Sequence, residues 1–346
     1  MNTTLKPFII PIFLPQAGCP HRCVFCNQYA ITNIRTHHIS KEILIENTDR
    51  FLTYNHRKNP HVQISFYGGN FLGLPEIEML ELLECAQSYV NNQKVTGIRF
   101  STRPDTINQK RLQLLTKYAI QTVELGVQSM DDNVLRTSQR GHTSENTHKA
   151  TEILKKFGYQ IGHQVMSGLP EDDSKTFMHT IERVIDLKPD FIRLYPTLVL
   201  KGSLLAKWFF DGQYNPLSLN QAVTMAKECL KRFQKNHIPV IRMGIQPQDN
   251  LEQFIIAGPY HPAFGHLVYS ELLLEKVKKR VQQSCSDHIA ILVNPRIMSQ
   301  MKGIHQDNVK KLAHRFPNKK IQMISDPGIS DIQFYELKHK GGSCEK

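Results

Sequence analysis

No apolar run in the 346-residue chain approaches the ~20 residues that a membrane-spanning helix needs. Seven cysteines are too few for a disulfide scaffold, and low-complexity tracts, collagen-like repeats and coiled-coil heptads are absent. Acidic residues are in deficit, because 31 Asp and Glu stand against 43 Lys and Arg, a net charge of +12. This excess of positive charge indicates an anionic partner and says little about the fold.

The N-terminal segment has two interpretations. The apolar stretch Phe8–Leu14 precedes Ala17-Gly18-Cys19, a pattern similar to a lipoprotein signal. Pro11 and Pro15 interrupt or end this stretch, whereas signal-peptide cores are normally uninterrupted. We therefore interpret the segment as a buried first strand and expect a cytoplasmic protein with reduced thiols.

Short β-rich runs alternate with helix-length segments over the first 245 residues. This alternation predicts β/α units around a parallel sheet, in a complete or partial TIM-type barrel of about six units. An open doubly wound sheet is the alternative, which is disfavoured because no G-x-G-x-x-G motif follows the first strand. The predicted strands are Phe8–Leu14, Val62–Tyr67, Ile98–Thr102, Thr122–Val127, Ile161–Met166, Phe191–Tyr195 and a possible seventh, Val240–Met243.

The alternation changes after residue 245, so the sequence predicts two domains: a barrel at 1–245 and a small α/β extension at 246–346. From Glu271 to Lys346 there are 14 Lys and Arg against 8 Asp and Glu, a net charge of +6. Half of the excess charge therefore lies in about a fifth of the chain. These lysines and arginines contact an anionic partner on one interpretation and form an ordinary solvated helix face on the other.

The motif Cys19-Pro-His-Arg-Cys23-Val-Phe-Cys26 follows the first predicted strand directly. Three thiolates at C-x3-C-x2-C spacing can bind three irons of a cubane iron–sulfur cluster and leave the fourth iron open. A Cys3His zinc site that includes His21 is the alternative, although zinc motifs usually pair two C-x2-C elements or add histidines. The other cysteines are isolated, which argues against a second cluster; they are Cys85, Cys229, Cys285 and Cys344.

With Phe25 before its last cysteine, this motif resembles that of the radical S-adenosylmethionine (SAM) superfamily. Further short motifs, in order along residues 5–245, are similar to the radical SAM region of the Elongator catalytic-subunit family, whose established members modify the wobble uridine of tRNA. The C-terminal remainder looks like the extension of short, Elongator-like bacterial proteins. The motifs are Gly68-Gly69-Asn70-Phe71, Ser101-Thr102-Arg103-Pro104-Asp105, Glu124-Leu125-Gly126-Val127-Gln128-Ser129, Arg140-Gly141-His142-Thr143, Gly168-Leu169-Pro170 and Leu194-Tyr195-Pro196-Thr197.

The resemblance implies a [4Fe-4S] cluster on Cys19, Cys23 and Cys26, with SAM bound at the open iron. It implies that the stretch at Gly68 and Gly69 holds the amino and carboxylate groups of SAM. Related coproporphyrinogen oxidases suggest two further SAM contacts, Gln128 and Arg140. The full set of cofactor-contacting residues that we expect is Phe25, Gly68, Gly69, Asn70, Ser101, Gln128, Arg140 and Gln164.

Two of these residues depart from the family pattern. Ser101 stands where the Elongator family usually has Glu, so a neutral, short hydroxyl replaces a carboxylate. Gln164 stands where related enzymes often have an acidic residue. Three residues near the end of the sixth predicted strand are expected to line the substrate side: Arg193, Tyr195 and Lys201.

The expected activity is reductive cleavage of SAM to a 5′-deoxyadenosyl radical, with no side chain acting as general base. RNA, tRNA above all, is the expected substrate and partner, and flavodoxin or ferredoxin the expected electron donor. A small molecule such as a tetrapyrrole is the alternative substrate, and a non-catalytic iron–sulfur RNA-binding protein is a further one. A methylthiotransferase fits less well, since no cysteine precedes Cys19. No glycine-rich acetyl-CoA loop follows residue 245, so the acetyl-CoA-dependent reaction of full-length Elongator enzymes is not carried over.

Overall fold

The computed structural model describes residues 6–32, 34, 40–56, 59–248 and 250–336. Its strands are β1 Phe8–Phe13, β2 Val62–Tyr67, β3 Gly97–Thr102, β4 Ile120–Gln128, β5 Gln160–Ser167, β6 Phe191–Pro196, β7 Val199–Leu200, β8 Val240–Met243, β9 Ile255–Ala257, β10 His288–Val293, β11 Lys320–Ser325 and β12 Ile332–Glu336. Its α-helices are α1 Gln28–Thr32, α2 Lys41–Thr53, α3 Glu76–Asn91, α4 Gln109–Leu115, α5 Asp132–Thr137, α6 Ser144–Lys156, α7 Ser174–Asp186, α8 Leu204–Phe210, α9 Leu219–Lys235, α10 Phe264–Gln283, α11 Met298–Lys302 and α12 Asp307–Arg315. Short 3-10 helices occur at Phe71–Gly73, Pro104–Thr106, Leu251–Phe254 and Ile304–Gln306.

Seven parallel strands form the main sheet, in the order β1-β2-β3-β4-β5-β6-β8. This order follows the chain without reversal, whereas a doubly wound sheet reverses its strand order at a switch point. β1 and β8 lie at opposite edges, so the sheet is a partial barrel. The predicted fold class is confirmed, and the possible seventh strand is present as β8.

The central strands β3 and β4 alternate apolar residues on the helix-covered face with polar residues on the inner face. On β3, Ile98 and Phe100 are fully buried, while the alternate residues Arg99 and Ser101 line a cavity. On β4, Val123 and Leu125 flank Glu124 in the same way, although Leu125 also reaches the cavity. Complete TIM barrels fill their interior with branched apolar side chains. Polar inward positions predict instead an interior that binds ligands.

Side-chain hydrogen bonds cap the starts of α4 to α9, whereas α2 and α3 begin without one. The Thr143 hydroxyl accepts a hydrogen bond from the Asn146 N–H, and the Asn146 side chain closes a capping box at the start of α6. Ser218 and Gln221 form the same arrangement at α9. A cap of this kind stabilises a helix by ~0.5–2 kcal/mol.

The chain divides into two units. The first consists of 1–222 and 229–262, and the second of 223–228 and 263–346. The division at 262 differs from the predicted boundary at 245 because β9 pairs antiparallel with β7, which places residues 255–257 in the first unit. Residues 337–346, which include Cys344, lie outside the described residues.

The second unit is built on a three-stranded sheet in the order β11-β10-β12, with β10 and β11 parallel and β12 antiparallel. Apolar residues of α10, including Val277 and Val281, pack with Ile291 and Val293 of β10 and with Leu312 of α12. This is the small α/β extension that the sequence predicts. Among the described residues of both units, no helix is both long enough and apolar enough to cross a bilayer.

The loops that follow β1 and β2 approach each other so closely that only glycine fits. Gly18 has φ +69°, and a Cβ built on it would lie 2.3 Å from the Asn70 carbonyl oxygen. A Cβ on Gly73 would lie 2.0 Å from the Gly18 oxygen, and one on Gly69 would lie 2.3 Å from the Ala17 oxygen. Since these neighbours are backbone atoms, a side chain cannot be accommodated by a rotamer change.

We expect Gly18→Ala to destabilise the protein more than Gly158→Ala does. Both glycines have positive φ, but a Cβ on Gly158 (φ +76°) would have no heavy atom within 4 Å. Gly158→Ala should therefore cost only the ~1–2 kcal/mol of left-handed backbone strain, and Gly18→Ala an additional ~1–3 kcal/mol of overpacking. Urea unfolding of both variants measures the difference; equal losses would contradict the close contact between the two loops.

Candidate active site

A cavity of about 1050 Å³ lies inside the partial barrel, and side chains from β1 to β8 line it. Small-molecule sites usually measure ~300–1,000 Å³, so this cavity can hold a cofactor together with part of a second molecule. All three cysteines of the C-x3-C-x2-C loop line it. The site is therefore at the carboxyl ends of the strands and in the barrel interior, where barrel enzymes place their chemistry.

Backbone hydrogen bonds connect the cysteine loop to the residue after α5 and to α8. The Val24 N–H donates to the Ser138 carbonyl after α5 at 3.2 Å, and the Leu205 N–H of α8 donates to the Val24 carbonyl at 2.8 Å. Inside the loop, the Cys26 N–H donates to the Cys23 carbonyl at 3.0 Å. These contacts come from distant parts of the chain and fix the three thiols relative to the sheet.

The thiol environment fits a positively charged iron–sulfur cluster core. Burial and then the neighbouring Cys23 raise the pKa of Cys19, and burial followed by Cys23 and Cys19 raises the pKa of Cys26 to about 12. Thiolates at these positions thus need a cationic partner, and cluster binding releases their protons. Nη1 of Arg140 also donates to the Cys23 sulfur at 3.0 Å, which stabilises negative charge there.

The side-chain arrangement differs from that of a single-ion site. Within the described parts of the chain, no three His, Cys, Asp or Glu side chains are grouped so that they could bind one metal ion. A cubane cluster binds each thiolate to a different iron, so its ligands do not need to converge on one point. The described geometry therefore gives no support to the Cys3His zinc alternative with His21.

Most residues that the sequence predicts at the cofactor lie at this cavity. Gln128 has φ +66°, and its side-chain oxygen accepts a hydrogen bond from Gln164 at 3.2 Å. The Ser101 hydroxyl is occupied, since it donates to the Phe66 carbonyl at 3.3 Å. The predicted residues that line the cavity are Phe25, Gly68, Gly69, Ser101, Gln128, Arg140 and Gln164.

Asn70 is the predicted cofactor residue that does not line the cavity. It is fully buried, and its amide donates to the Gly18 carbonyl at 2.7 Å. Its side-chain oxygen accepts from the Thr102 hydroxyl at 2.6 Å and from the Arg103 N–H at 3.0 Å. The side chain therefore ties the cysteine loop to the end of β3, a structural role that its motif does not reveal.

The three predicted substrate residues separate in the structure. Arg193 and Tyr195 of β6 line the cavity. Lys201 is exposed and lies outside the cavity lining, since the chain has left the barrel interior after β7; its N–H donates to the Phe254 carbonyl at 2.7 Å. The structure thus brings two of the three together with the cofactor residues.

The cavity wall carries a charged cluster of which the sequence predicted only Arg193. Glu124 accepts hydrogen bonds from Arg193 at 2.6 Å and from the Tyr67 hydroxyl at 3.1 Å, and its carboxylate lies 3.4 Å from Nε of Arg99. Burial and then Glu124 raise the pKa of Tyr67 to about 12, so this hydroxyl stays a neutral donor. An available signal was the period-2 pattern, which places charged residues at inward positions of strands that are otherwise apolar.

Gln28, the first residue of α1, is a second residue that the sequence analysis missed. Its side-chain oxygen accepts a hydrogen bond from the Gln16 N–H, and its amide donates to the Gly68 carbonyl. It therefore bridges the cysteine loop and the loop after β2. Nothing in the residue pattern distinguishes it from a solvated helix residue.

Proteins of similar sequence include a tRNA uridine(34) acetyltransferase and an Elongator complex protein. An uncharacterized protein of Methanocaldococcus jannaschii is 27% identical over 285 residues, which cover 80% of this chain and 85% of that protein. A tRNA uridine(34) acetyltransferase of the same organism is 32% identical over 190 residues, 54% of this chain and 34% of the enzyme. Elongator complex protein 3 of Saccharomyces cerevisiae is 30% identical over 227 residues, 57% of this chain and 40% of that protein. The chain thus matches only about a third to two-fifths of the length of these last two relatives.

Among solved structures, the archaeal Methanocaldococcus infernus Elp3 with residues 1–46 deleted aligns with a TM-score of 0.59 at 20% identity, covering 80% of this chain and 64% of that one. At this identity the likeness establishes the fold alone. Two family models match the sequence, the Radical SAM superfamily over residues 13–184 and the Radical SAM C-terminal domain over residues 189–273. The first match contains the cysteine loop and β2 to β5, and the second contains β6 to β9. The chain therefore belongs to the radical SAM superfamily, whose enzymes use a [4Fe-4S] cluster and S-adenosylmethionine.

Proposed function

We propose that this radical SAM enzyme modifies a nucleotide of RNA, with tRNA as the first candidate. The proposal is supported by its similarity to proteins named tRNA uridine(34) acetyltransferase and Elongator complex protein 3. The chain corresponds to only part of those proteins, so the acetyl-transfer reaction in the first name is not included in the proposal. The observation that carries the catalytic part is the set of three thiols at a cavity that is large enough for SAM and a substrate group.

The cysteine loop would hold the cluster through Cys19, Cys23 and Cys26. The cluster, when reduced, would supply the electron for cleavage of SAM to a 5′-deoxyadenosyl radical. Arg140 places a positive charge beside the cysteines, because its guanidinium donates a hydrogen bond to the Cys23 sulfur. A second hydrogen bond, to the Gly126 carbonyl at 2.7 Å, holds the guanidinium in this position. Gln128 and Gln164 present amide groups from adjacent strands, which can bind the uncharged polar atoms of a cofactor.

The barrel interior partly encloses the groups that line the cavity. No side chain on its wall is required as a general base, since the cofactor supplies the reactive species. The required electron would come from a separate protein such as flavodoxin or ferredoxin, which fits a cytoplasmic enzyme with reduced thiols.

The second unit offers cations that RNA phosphates could contact. Several of its basic side chains already have acidic partners: Lys276 lies 3.3 Å from Asp331, and Lys311 lies 2.6 Å from Asp307. Within the described residues, no ion pair involves Lys278, Lys279 or Lys310. These three lysines are therefore the first candidates for phosphate contacts in this unit.

We expect anaerobically purified protein to contain about four irons per chain, as a cubane cluster requires. Replacing Cys19, Cys23 and Cys26 by Ala should abolish iron binding, while Cys85→Ala and Cys285→Ala serve as controls that retain it. Iron analysis and the visible absorption spectrum measure the outcome. Stoichiometric zinc in place of iron would contradict the cluster.

Gly69→Val should lower both the iron content and SAM cleavage. A Cβ at this position would meet the carbonyl oxygens of Ala17 at 2.3 Å and Leu14 at 2.5 Å, so the side chain displaces the base of the cysteine loop. Iron content and release of 5′-deoxyadenosine with dithionite as reductant separate two roles. Full iron content with lost cleavage would show that the substitution affects SAM binding and not the cysteine loop, as the family resemblance implies.

Changing Lys278, Lys279 and Lys310 together to Glu should weaken tRNA binding and leave substrate-free SAM cleavage intact. Each phosphate contact releases counterions, so wild-type affinity should fall steeply with salt and the variant should show a smaller slope. Gel-shift titration at two salt concentrations measures both.

The matched control changes Lys117, Lys156 and Lys175 to Glu, which alters the net charge by the same amount; these three lysines of the first unit are exposed. An unpaired loop nucleotide can enter a cavity more easily than a stacked and paired one. Intact tRNA should therefore bind more tightly than duplex DNA of equal charge. Equal binding of tRNA and DNA, or equal losses in both triple variants, would favour the small-molecule alternative.

A further inference from the structure

The charges that line the cavity are strongly unbalanced. Within the described residues, six arginines and a single carboxylate contribute charged side chains to its wall: Arg22, Arg99, Arg103, Arg140, Arg193, Arg242 and Glu124. Arg103 is balanced outside the wall by Asp105, with which it makes two hydrogen bonds of 3.0 Å. Arg140 faces the cysteine sulfurs. The arginines at the inner strand positions therefore outnumber the carboxylates that could balance their charge.

The imbalance is buried around Glu124. This carboxylate is 2% exposed and is shared by two guanidinium groups, Arg193 at 2.6 Å and Arg99 at 3.4 Å. Arg99 is itself 5% exposed, and its Nε has no hydrogen-bond acceptor. Because one negative charge faces two positive charges, this group carries a net charge of +1. Glu124 and Arg99 are almost fully buried, whereas the Arg193 side chain is 22% exposed. An uncompensated buried charge is costly and is normally met by a counter-charge.

Aromatic rings orient these cations and do not neutralise them. The Arg193 guanidinium lies 5.1 Å from the centre of the Tyr67 ring and 5.5 Å from that of Tyr195, and the Arg99 guanidinium lies 5.0 Å from the Phe191 ring. Each of these cation–π contacts is weaker than an ion pair with a carboxylate and adds no negative charge. The rings thus hold both planar groups in place while leaving N–H donors for a ligand.

We propose that Arg99 and Arg193, which share the single carboxylate of Glu124, form an anion subsite that binds a phosphate or carboxylate group of the substrate. Guanidinium groups bind either anion through paired N–H donors. Both candidate substrates carry such a group, as the phosphate of a nucleotide or the carboxylates of a small molecule. The inference rests on the proposed function in so far as it takes this cavity for the substrate site.

Calorimetric titration of the full-length, reconstituted protein tests the subsite without turnover. Uridine 5′-monophosphate supplies a phosphate, glutarate supplies carboxylates, and uridine is the uncharged reference. We expect at least one anion to bind more tightly than uridine, and Arg193→Gln to weaken that binding by about tenfold or more. The tighter of the two anions identifies the source of the charge.

Two variants separate ligand binding from folding. Glu124→Gln removes the competing carboxylate, so the subsite becomes more positive and should bind the anion more tightly than wild type. Loss of structure would weaken binding in both variants. Arg232→Gln is the matched control, because it removes an arginine that pairs with Glu182 on the outer surface, and it should leave affinity unchanged.

The subsite is overturned if neither anion binds more tightly than uridine, if Arg193→Gln binds as wild type does, or if Glu124→Gln binds more weakly. SAM cleavage by the same wild-type preparation is measured separately. Anion binding without SAM cleavage would count against the proposed function and not against the subsite.

Discussion

The close approach of two loops is the constraint on which the site depends. Gly18, Gly69 and Gly73 let the loop after β1 lie backbone-to-backbone against the loop after β2, at distances where a Cβ would be only 2.0–2.3 Å from a carbonyl oxygen. Asn70 then joins the Gly18 carbonyl to the end of β3. The cysteines lie on the first of these loops, so their positions relative to the sheet follow from this contact.

The same constraint explains why the glycines cannot be assigned to the cofactor alone. Gly68 and Gly69 do line the cavity, and a backbone without side chains exposes its polar groups to a ligand. The steric requirement at Gly69, however, comes from Ala17 and Leu14 on the other side. One residue thus serves both the cofactor space and the packing beneath it, and a substitution there acts on both.

Part of the barrel interior is lined by charged side chains, which can bind ligands, in place of the apolar side chains that fill a closed barrel. Inward positions that would hold branched apolar side chains in a filled barrel hold Arg99, Glu124 and Arg193 instead. The apolar positions between them, such as Phe100 and Val123, are fully buried against the outer layer. Stability therefore comes mainly from the outer face of the sheet, which leaves the inner face available for charged groups whose cost is offset by one another and by ligands.

The sequence alone determined the seven strands of the main sheet, its parallel fold and the cysteine loop, because these are encoded by local periodicity and by residue spacing along the chain. It did not indicate β7 and β9. Most of the cofactor and substrate residues that the sequence motifs predict also line the cavity. Tertiary structure decided the rest. Asn70 became a buried link, Lys201 left the cavity as β7 paired with β9, and Arg99 met Glu124 and Arg193 across three strands. Such contacts join residues that are far apart in the chain, and only the folding of the sheet, which sets side-chain distance and burial, decides whether they form.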